Sequence, residues 1–140
     1  PLVPLAAQCR ERGIHTEVVL GAQRAEMLLA RDSLIAYVGE TGLHSSTDDG
    51  SAGRKGLSCD LMRELLEAED FDYIATCGPE PMQRRVVELA AAAGIACEVS
   101  LERRMACGIG ACLSCAVTTR AGTRRACVDG PVFDAEELLW

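Results

Sequence analysis

Cys107, Cys112 and Cys115 stand at Cys-x4-Cys-x2-Cys, and Cys127 follows after eleven further residues. This spacing restricts the fold more than any other feature of the chain. Gly, Ala and Cys dominate from Leu101 to Cys115, and a stretch of about forty residues buries too little apolar surface to hold together by packing alone. A staple is therefore expected. Three thiolates on one tight loop and a fourth from a neighbouring strand can wrap two irons, and the spacing is that of plant-type [2Fe-2S] sites. Gly108, Gly110 and Ala111 let backbone N–H groups approach bridging sulfides, where such donors favour the reduced, more negative cluster. A structural zinc also takes four cysteines, although zinc ribbons usually present two Cys-x2-Cys pairs and this chain presents one. A redox disulfide is the remaining alternative.

The other four of the eight cysteines, Cys9, Cys59, Cys77 and Cys97, are scattered. Pro1-Leu2-Val3-Pro4 lacks the charged and hydrophobic regions of a secretory leader, and no apolar run approaches the roughly 20 residues of a membrane span. A soluble, cytoplasmic protein is expected, in a compartment where structural disulfides are rare. The 140 residues are 49% apolar and 25% charged, enough to bury a core. The net charge of −7 has the wrong sign for a phosphate backbone, so nucleic acid is not an expected partner. With only His15 and His44 for imidazole chemistry, no histidine-centred triad and no catalytic residue is assigned.

Strand and helix patterns alternate along the first hundred residues. Leu2, Leu5, Ala6 and Cys9 share one helix face before Gly13; such a helix normally follows a strand, so a strand and its turn are expected ahead of Pro1. Thr16–Leu20 reads as a buried strand ending at Gly21, Ala25–Ala30 as a helix, and Leu34–Val38 as the next strand. Thr41 to Gly56, polar and glycine-rich, reads as a long loop. Leu57, Leu61 and Leu65, with Met62 and Leu66, make the apolar stripe of an amphipathic helix. Asp72–Cys77 reads as a strand. Gly78-Pro79-Glu80-Pro81 then opens a helix that turns Met82, Val86, Leu89 and Ala93 inward and ends at Gly94. Ile95–Val99 closes the series. Alternation of this kind predicts an α/β fold, a mostly parallel sheet flanked by helices, over residues 1–100, with a small cluster-binding segment over 101–140. In that segment Cys115–Thr119 and Arg124–Val128 read as a strand pair. A last helix is expected with Asp134 as N-cap, Glu137 three residues on, and Phe133 stapled to Leu138.

The run Ser100-Leu101-Glu102-Arg103-Arg104-Met105-Ala106-Cys107-Gly108-Ile109-Gly110-Ala111-Cys112-Leu113-Ser114-Cys115, followed by Cys127-Val128-Asp129-Gly130-Pro131-Val132-Phe133-Asp134, resembles the electron-transfer subunits of NAD-dependent dihydroorotate dehydrogenases. Thr47-Asp48-Asp49-Gly50-Ser51 and Cys77-Gly78-Pro79-Glu80-Pro81-Met82 fit the same family, and the resemblance runs from Pro1 to the end. These are ferredoxin-reductase-like flavoproteins: an FAD-binding barrel, a pyridine-nucleotide-binding α/β domain, then a [2Fe-2S] segment. The resemblance implies Cys107, Cys112, Cys115 and Cys127 as cluster ligands, and Gly21, Thr47, Asp48, Asp49, Cys77, Gly78, Pro79 and Met82 along a bound NAD(H). It implies electron flow between NAD(H) and FAD and on through the cluster to a flavin-containing catalytic subunit that converts dihydroorotate to orotate in pyrimidine biosynthesis. The barrel, the first strand and the glycine-rich turn are missing from these residues. FAD would therefore be held mainly by the absent barrel, and the chain alone would be incomplete for turnover.

Bland alternatives stand beside these roles. Asp48-Asp49-Gly50 is by itself an ordinary solvated turn, and Cys77, ending a strand, suits buried packing as well as a redox site. Cys9, Cys59 and Cys97 serve as small apolar residues. His15 and His44 are expected on the surface without partners. Arg103-Arg104 and Arg124-Arg125 could dock an acidic face or simply be solvated. Two other functions remain open: a reductase subunit of a sulfhydrogenase or of a ferredoxin-dependent NADP transhydrogenase, and a zinc-stapled binding module without electron chemistry.

Overall fold

A computed structural model describes all 140 residues, which divide into two compact units, 1–70 and 71–140. In the first, helix α1 (Leu2–Glu11) precedes β1 (Val18–Ala22), and after a 3-10 turn (Ala25–Met27) α2 (Arg31–Val38) carries the chain to β2 (Leu43–Thr47). A two-residue strand β3 (Arg54–Lys55) and helix α3 (Ser58–Ala68) complete it. The sheet order is β1-β2-β3, all parallel, with Val18 opposite Leu43 and Ala22 opposite Thr47. Parallel neighbours need a crossover, and α2 supplies it. Ala6, Leu34 and Cys59 form the apolar core, while Ser46 and Thr47 are buried polar residues of β2.

Leu34–Val38 is not a strand but the body of α2, and the strand lies in the expected loop, at Leu43–Thr47. A five-residue apolar run does not by itself distinguish a buried strand from a short helix. β2, in turn, reads Leu-His-Ser-Ser-Thr. Its small hydroxyl side chains lack strand-like hydrophobicity, and pairing on both sides makes it a strand. The helix expected over Ala25–Ala30 shrinks to the 3-10 turn, with Ala30 left-handed at φ 61° before α2. Leu57 stands outside α3, exposed, and Cys59 takes the buried place on that helix.

In the second unit β4 (Tyr73–Cys77) pairs in parallel with β5 (Ala96–Ser100) across α4 (Glu80–Ala93), and β5 pairs antiparallel with β8 (Val132–Asp134). Between β5 and β8 lie an irregular loop, the hairpin β6 (Ala116–Thr119) and β7 (Gly122–Arg125), and the one-turn helix α5 (Ala126–Asp129). Pro81 sits in the first turn of α4 and Gly94 ends it at φ 71°. The inward stripe of α4 is Gln83, Val86 and Ala90, with Ala93 exposed. Gln83 is buried because its Nε2 donates to the Ser100 carbonyl at 2.8 Å, so the amide is satisfied where an apolar residue was expected. The Val99–Phe133 pair is buried on both sides, and it ties the last residues to β4–β5. That pairing is why the compact units divide at 70/71, whereas the composition changes at 101.

The terminal helix is also shorter than expected. Asp134 does cap, accepting from the Glu136 N–H at 2.9 Å, but only a 3-10 turn (Ala135–Glu137) follows. Phe133 and Leu138 are both buried. No helix is long and apolar enough to cross a membrane.

Candidate metal centre

Leu101 to Cys115 has no helix or strand, so the loop is shaped by its glycines and by hydrogen bonds to sulfur. The Cys112 N–H donates to Cys107 Sγ at 3.4 Å and the Ser114 N–H to Cys112 Sγ at 3.4 Å. The Ile109 N–H also reaches the Cys107 sulfur, and together with the amide and thiol of Cys112 it holds that thiol down at about 6. Cys107 is thus prepared as a thiolate, the form that binds iron or zinc. Ser114 Oγ donates to the Arg104 carbonyl at 3.1 Å and fastens the loop to its own entry.

The fourth cysteine was expected on a strand. Instead β7 stops at Arg125, and Cys127 lies in α5. The turn is held by Asp129, whose Oδ2 accepts from the Arg125 backbone N–H at 2.7 Å and from its Nε at 3.3 Å. Those donors keep the Asp129 carboxyl below its usual range. Cys115 is buried at the start of the hairpin, and the Ala126 N–H donates to its carbonyl at 3.1 Å. The Cys127 N–H and thiol favour the Cys115 thiolate, and the same thiol contact raises Cys127. The sulfurs therefore meet as two pairs, Cys107 with Cys112 and Cys115 with Cys127. Gly110 links the halves: Arg125 Nη1 donates to its carbonyl at 3.3 Å, and a Cβ there would lie 2.9 Å from Val128 Cγ2. Its φ of +80° adds a second reason for glycine.

A single tetrahedral zinc with Zn–S bonds near 2.3 Å draws its four sulfurs to about 3.8 Å apart. Here the one trio of metal-ligating side chains gathered within 4.8 Å of one another is His15, Glu17 and Glu69. The direct thiol contacts join Cys107 with Cys112 and Cys115 with Cys127, the pairing that two irons would take, and the charge of Cys107 also reaches Cys115 and Cys127. The rim is apolar and exposed: Met105, Ile109, Leu113 and Val128 all face solvent. Of the arginines, Arg103 is not free, because Nη1 lies 3.2 Å from Glu80 Oε2, tying the loop entry to the first turn of α4.

The expected nucleotide residues fall at the carboxyl ends of strands, each set in its own unit. Gly21 lies in β1, where a Cβ would come within 2.7 Å of Ser58 Cβ at the start of α3. Thr47 ends β2, and its hydroxyl donates to the Ala52 carbonyl at 2.7 Å and accepts from the Ala52 N–H at 3.0 Å. Asp49 Oδ1 accepts from the Ser51 hydroxyl at 2.6 Å and the Ser51 N–H at 2.9 Å, which lowers its pKa. Ser51 Oγ in turn accepts from the Ala25 N–H at 2.8 Å. Ser51 and Ala52 were missed by sequence reasoning, although Asp-x-Ser is itself a turn signature. Asp48 is exposed, its N–H donating to the Ala22 carbonyl at 3.1 Å. In the second unit Cys77 ends β4, half-buried, and Pro79 precedes α4. Met82 lies over Gly78, where a Cβ would come within 2.7 Å of its methyl.

Residues 102–139 match the family model for the iron-sulfur cluster binding domain of dihydroorotate dehydrogenase B. The chain is 43% identical over 138 residues to the probable dihydroorotate dehydrogenase B (NAD(+)) electron transfer subunit of Methanopyrus kandleri, covering 99% of this chain and 51% of that protein. It is 38% identical to the corresponding subunit of Caldanaerobacter subterraneus subsp. tengcongensis, covering 100% of this chain and 55% of that one. A solved NADH-dependent reduced ferredoxin-NADP oxidoreductase, described in connection with flavin-based electron bifurcation, superposes with a TM-score of 0.84 at 36% identity, over 99% of this chain and 49% of its own. The chain spans about half the length of these relatives. Over the length it shares with them, it belongs to the family of dihydroorotate dehydrogenase B electron transfer subunits.

Proposed function

We propose that residues 101–140 hold a [2Fe-2S] cluster on Cys107, Cys112, Cys115 and Cys127, as the electron-carrying segment of an NAD-linked oxidoreductase. The single observation that carries this reading is the arrangement of four thiols as two pairs, with backbone N–H groups aimed at Cys107 and Cys112. When bound, such a cluster takes up and gives back one electron at a time. The chain's own part is to keep the thiols deprotonated, aim N–H donors at sulfur and leave one side of the loop uncovered. Residues 1–100 form the pyridine-nucleotide part. In it, Gly21, Thr47, Asp48 and Asp49, and Cys77, Gly78, Pro79 and Met82, line NAD(H), and FAD is held mainly by residues outside this chain.

The partner in this reading is a flavin-containing dihydroorotate dehydrogenase catalytic subunit, and the location is cytoplasmic. Met105, Ile109, Leu113 and Val128 would be the apolar centre of the docking face, since their exposure beside the thiols brings a partner close enough for electron transfer. A second reading, a subunit of a ferredoxin-NADP oxidoreductase, is favoured by the solved relative.

Purification without oxygen, followed by iron, acid-labile sulfide and zinc analysis, tests the cluster. Two irons and two sulfides per chain, with visible absorption that bleaches under dithionite, are expected. One zinc and no sulfide would overturn it. Reduction of the bound cluster by dihydroorotate through the catalytic subunit, and not by a ferredoxin-linked partner, separates the two readings.

A further inference from the structure

Both histidines of the chain converge on one carboxylate. Glu17 enters β1 with only 13% of its side chain exposed; its Oε2 accepts from His44 Nε2 at 2.6 Å, and its Oε1 lies 3.3 Å from His15 Nε2. His15 Nε2 is also 3.9 Å from Oε2 of Glu69, the residue that follows α3 as its C-cap. The ligand atoms of His15, Glu17 and Glu69 all lie within 4.8 Å of one another. Ligands about 2.0–2.1 Å from a tetrahedral zinc stand about 3.3–3.4 Å apart. The His15–Glu17 separation meets that spacing, and the 3.9 Å to Glu69 closes with a rotation of two exposed side chains. Two carboxylates this close repel each other, and a divalent cation between them relieves the repulsion.

We propose that His15, Glu17 and Glu69 form a binding site for a divalent transition ion of the zinc class, with His44 as the group that orients Glu17. Donation from His44 occupies one Glu17 oxygen and leaves the other facing His15, as second-shell partners do for ligating groups. One imidazole and two carboxylates, with a position open to water, select zinc-like ions over magnesium or calcium, which take oxygen ligands alone. The site lies where the chain enters β1 and β2, at their amino ends, whereas Gly21 and Thr47 lie at their carboxyl ends. Its role would be to clip the segment after α1 to the end of α3.

The test is calorimetric titration of Zn2+ into protein whose four loop thiols, Cys107, Cys112, Cys115 and Cys127, are already saturated, by a cluster or by a first equivalent of zinc. Wild type is compared with His15→Ala and Glu69→Gln, which replace side chains 73% and 51% exposed and so leave the fold intact, as circular dichroism would verify. One saturable site that weakens by about tenfold or more in both variants is expected. Uptake of Zn2+ equal in all three proteins, or absent from wild type, would overturn the proposal. Neither result depends on whether the cysteine loop carries electrons.

Discussion

Cys107 is the most strongly conditioned residue of the loop, because the Ile109 and Cys112 N–H groups converge on its sulfur. A thiol held down at about 6 is mostly thiolate at pH 7. In protein stripped of metal, the alkylation rate of Cys107 should therefore rise through pH 6 and level off by pH 7. Cys97, which burial pushes up to about 11, should stay unmodified over that range. Mass spectrometry after timed iodoacetamide pulses measures both; a Cys107 rate still climbing between pH 8 and 9 would contradict the geometry. Gly110 is the second conditioned residue. Gly110→Ala meets Val128 at 2.9 Å in a left-handed backbone and should cost roughly 1–2 kcal/mol. The expected readout is less iron per chain and a lower Tm of the loaded protein. The cysteine spacing and the small residues between were legible in the sequence. The N–H donors to Cys107 were not, because they depend on how the loop folds back on itself.

At the scale of elements, the second unit depends on β5 lying between β4 and β8. Phe133 is buried opposite Val99 and against Gly130, where a Cβ would lie 2.4 Å from its ring. Phe133→Ala should cost about 3–5 kcal/mol, measured as a lowered urea midpoint, because the cavity opens between two paired strands. The helices α3 and α4 were legible because each is long enough to show its period and has a clear stop or start. Short elements were not. Leu34–Val38 and Leu43–Thr47 exchanged roles because pairing with β1, not hydrophobicity, decides which segment becomes the strand. Arg124–Val128 lost its second half to α5 because Asp129 caps back onto Arg125. That cap is present above the depressed Asp129 pKa and is lost as pH falls through it, so acid should loosen the segment that carries Cys127 before it affects the hairpin. Hydrogen exchange at Ala126–Val128 against Val117 and Thr119, followed from about pH 5 down past the ordinary aspartate pKa of 3.8, would register the difference.

For the molecule as a whole, the exposed apolar rim is the feature that looks outward. Ile109 is 78% exposed, and only its backbone N–H serves Cys107. If the proposed catalytic-subunit partner docks on this rim, Ile109→Asp should weaken that complex by about tenfold while leaving the visible spectrum of the bound cluster unchanged. A changed spectrum would place Ile109 in the cluster's own support instead. Cluster loading itself should raise the Tm, since ligand binding to the folded state alone adds to stability. By itself the sequence determined the α/β alternation and the iron-sulfur character of residues 102–139, and it singled out Cys107, Cys112, Cys115 and Cys127 as the proposed ligands. These rest on residue identity and spacing, which survive any uncertainty about where short elements begin. Tertiary structure decided that Leu43–Thr47 is a strand, that Cys127 sits on a helical turn, that β5 and β8 join the cluster segment to the sheet, and that His15 and His44 share Glu17. The Cys127 turn is set locally by Asp129 on Arg125 and His15 is close to Glu17 in sequence, but the others depend on partners far along the chain, such as Val99 for Phe133 and Glu17 for His44. Contacts over that distance leave no periodic trace in the chain.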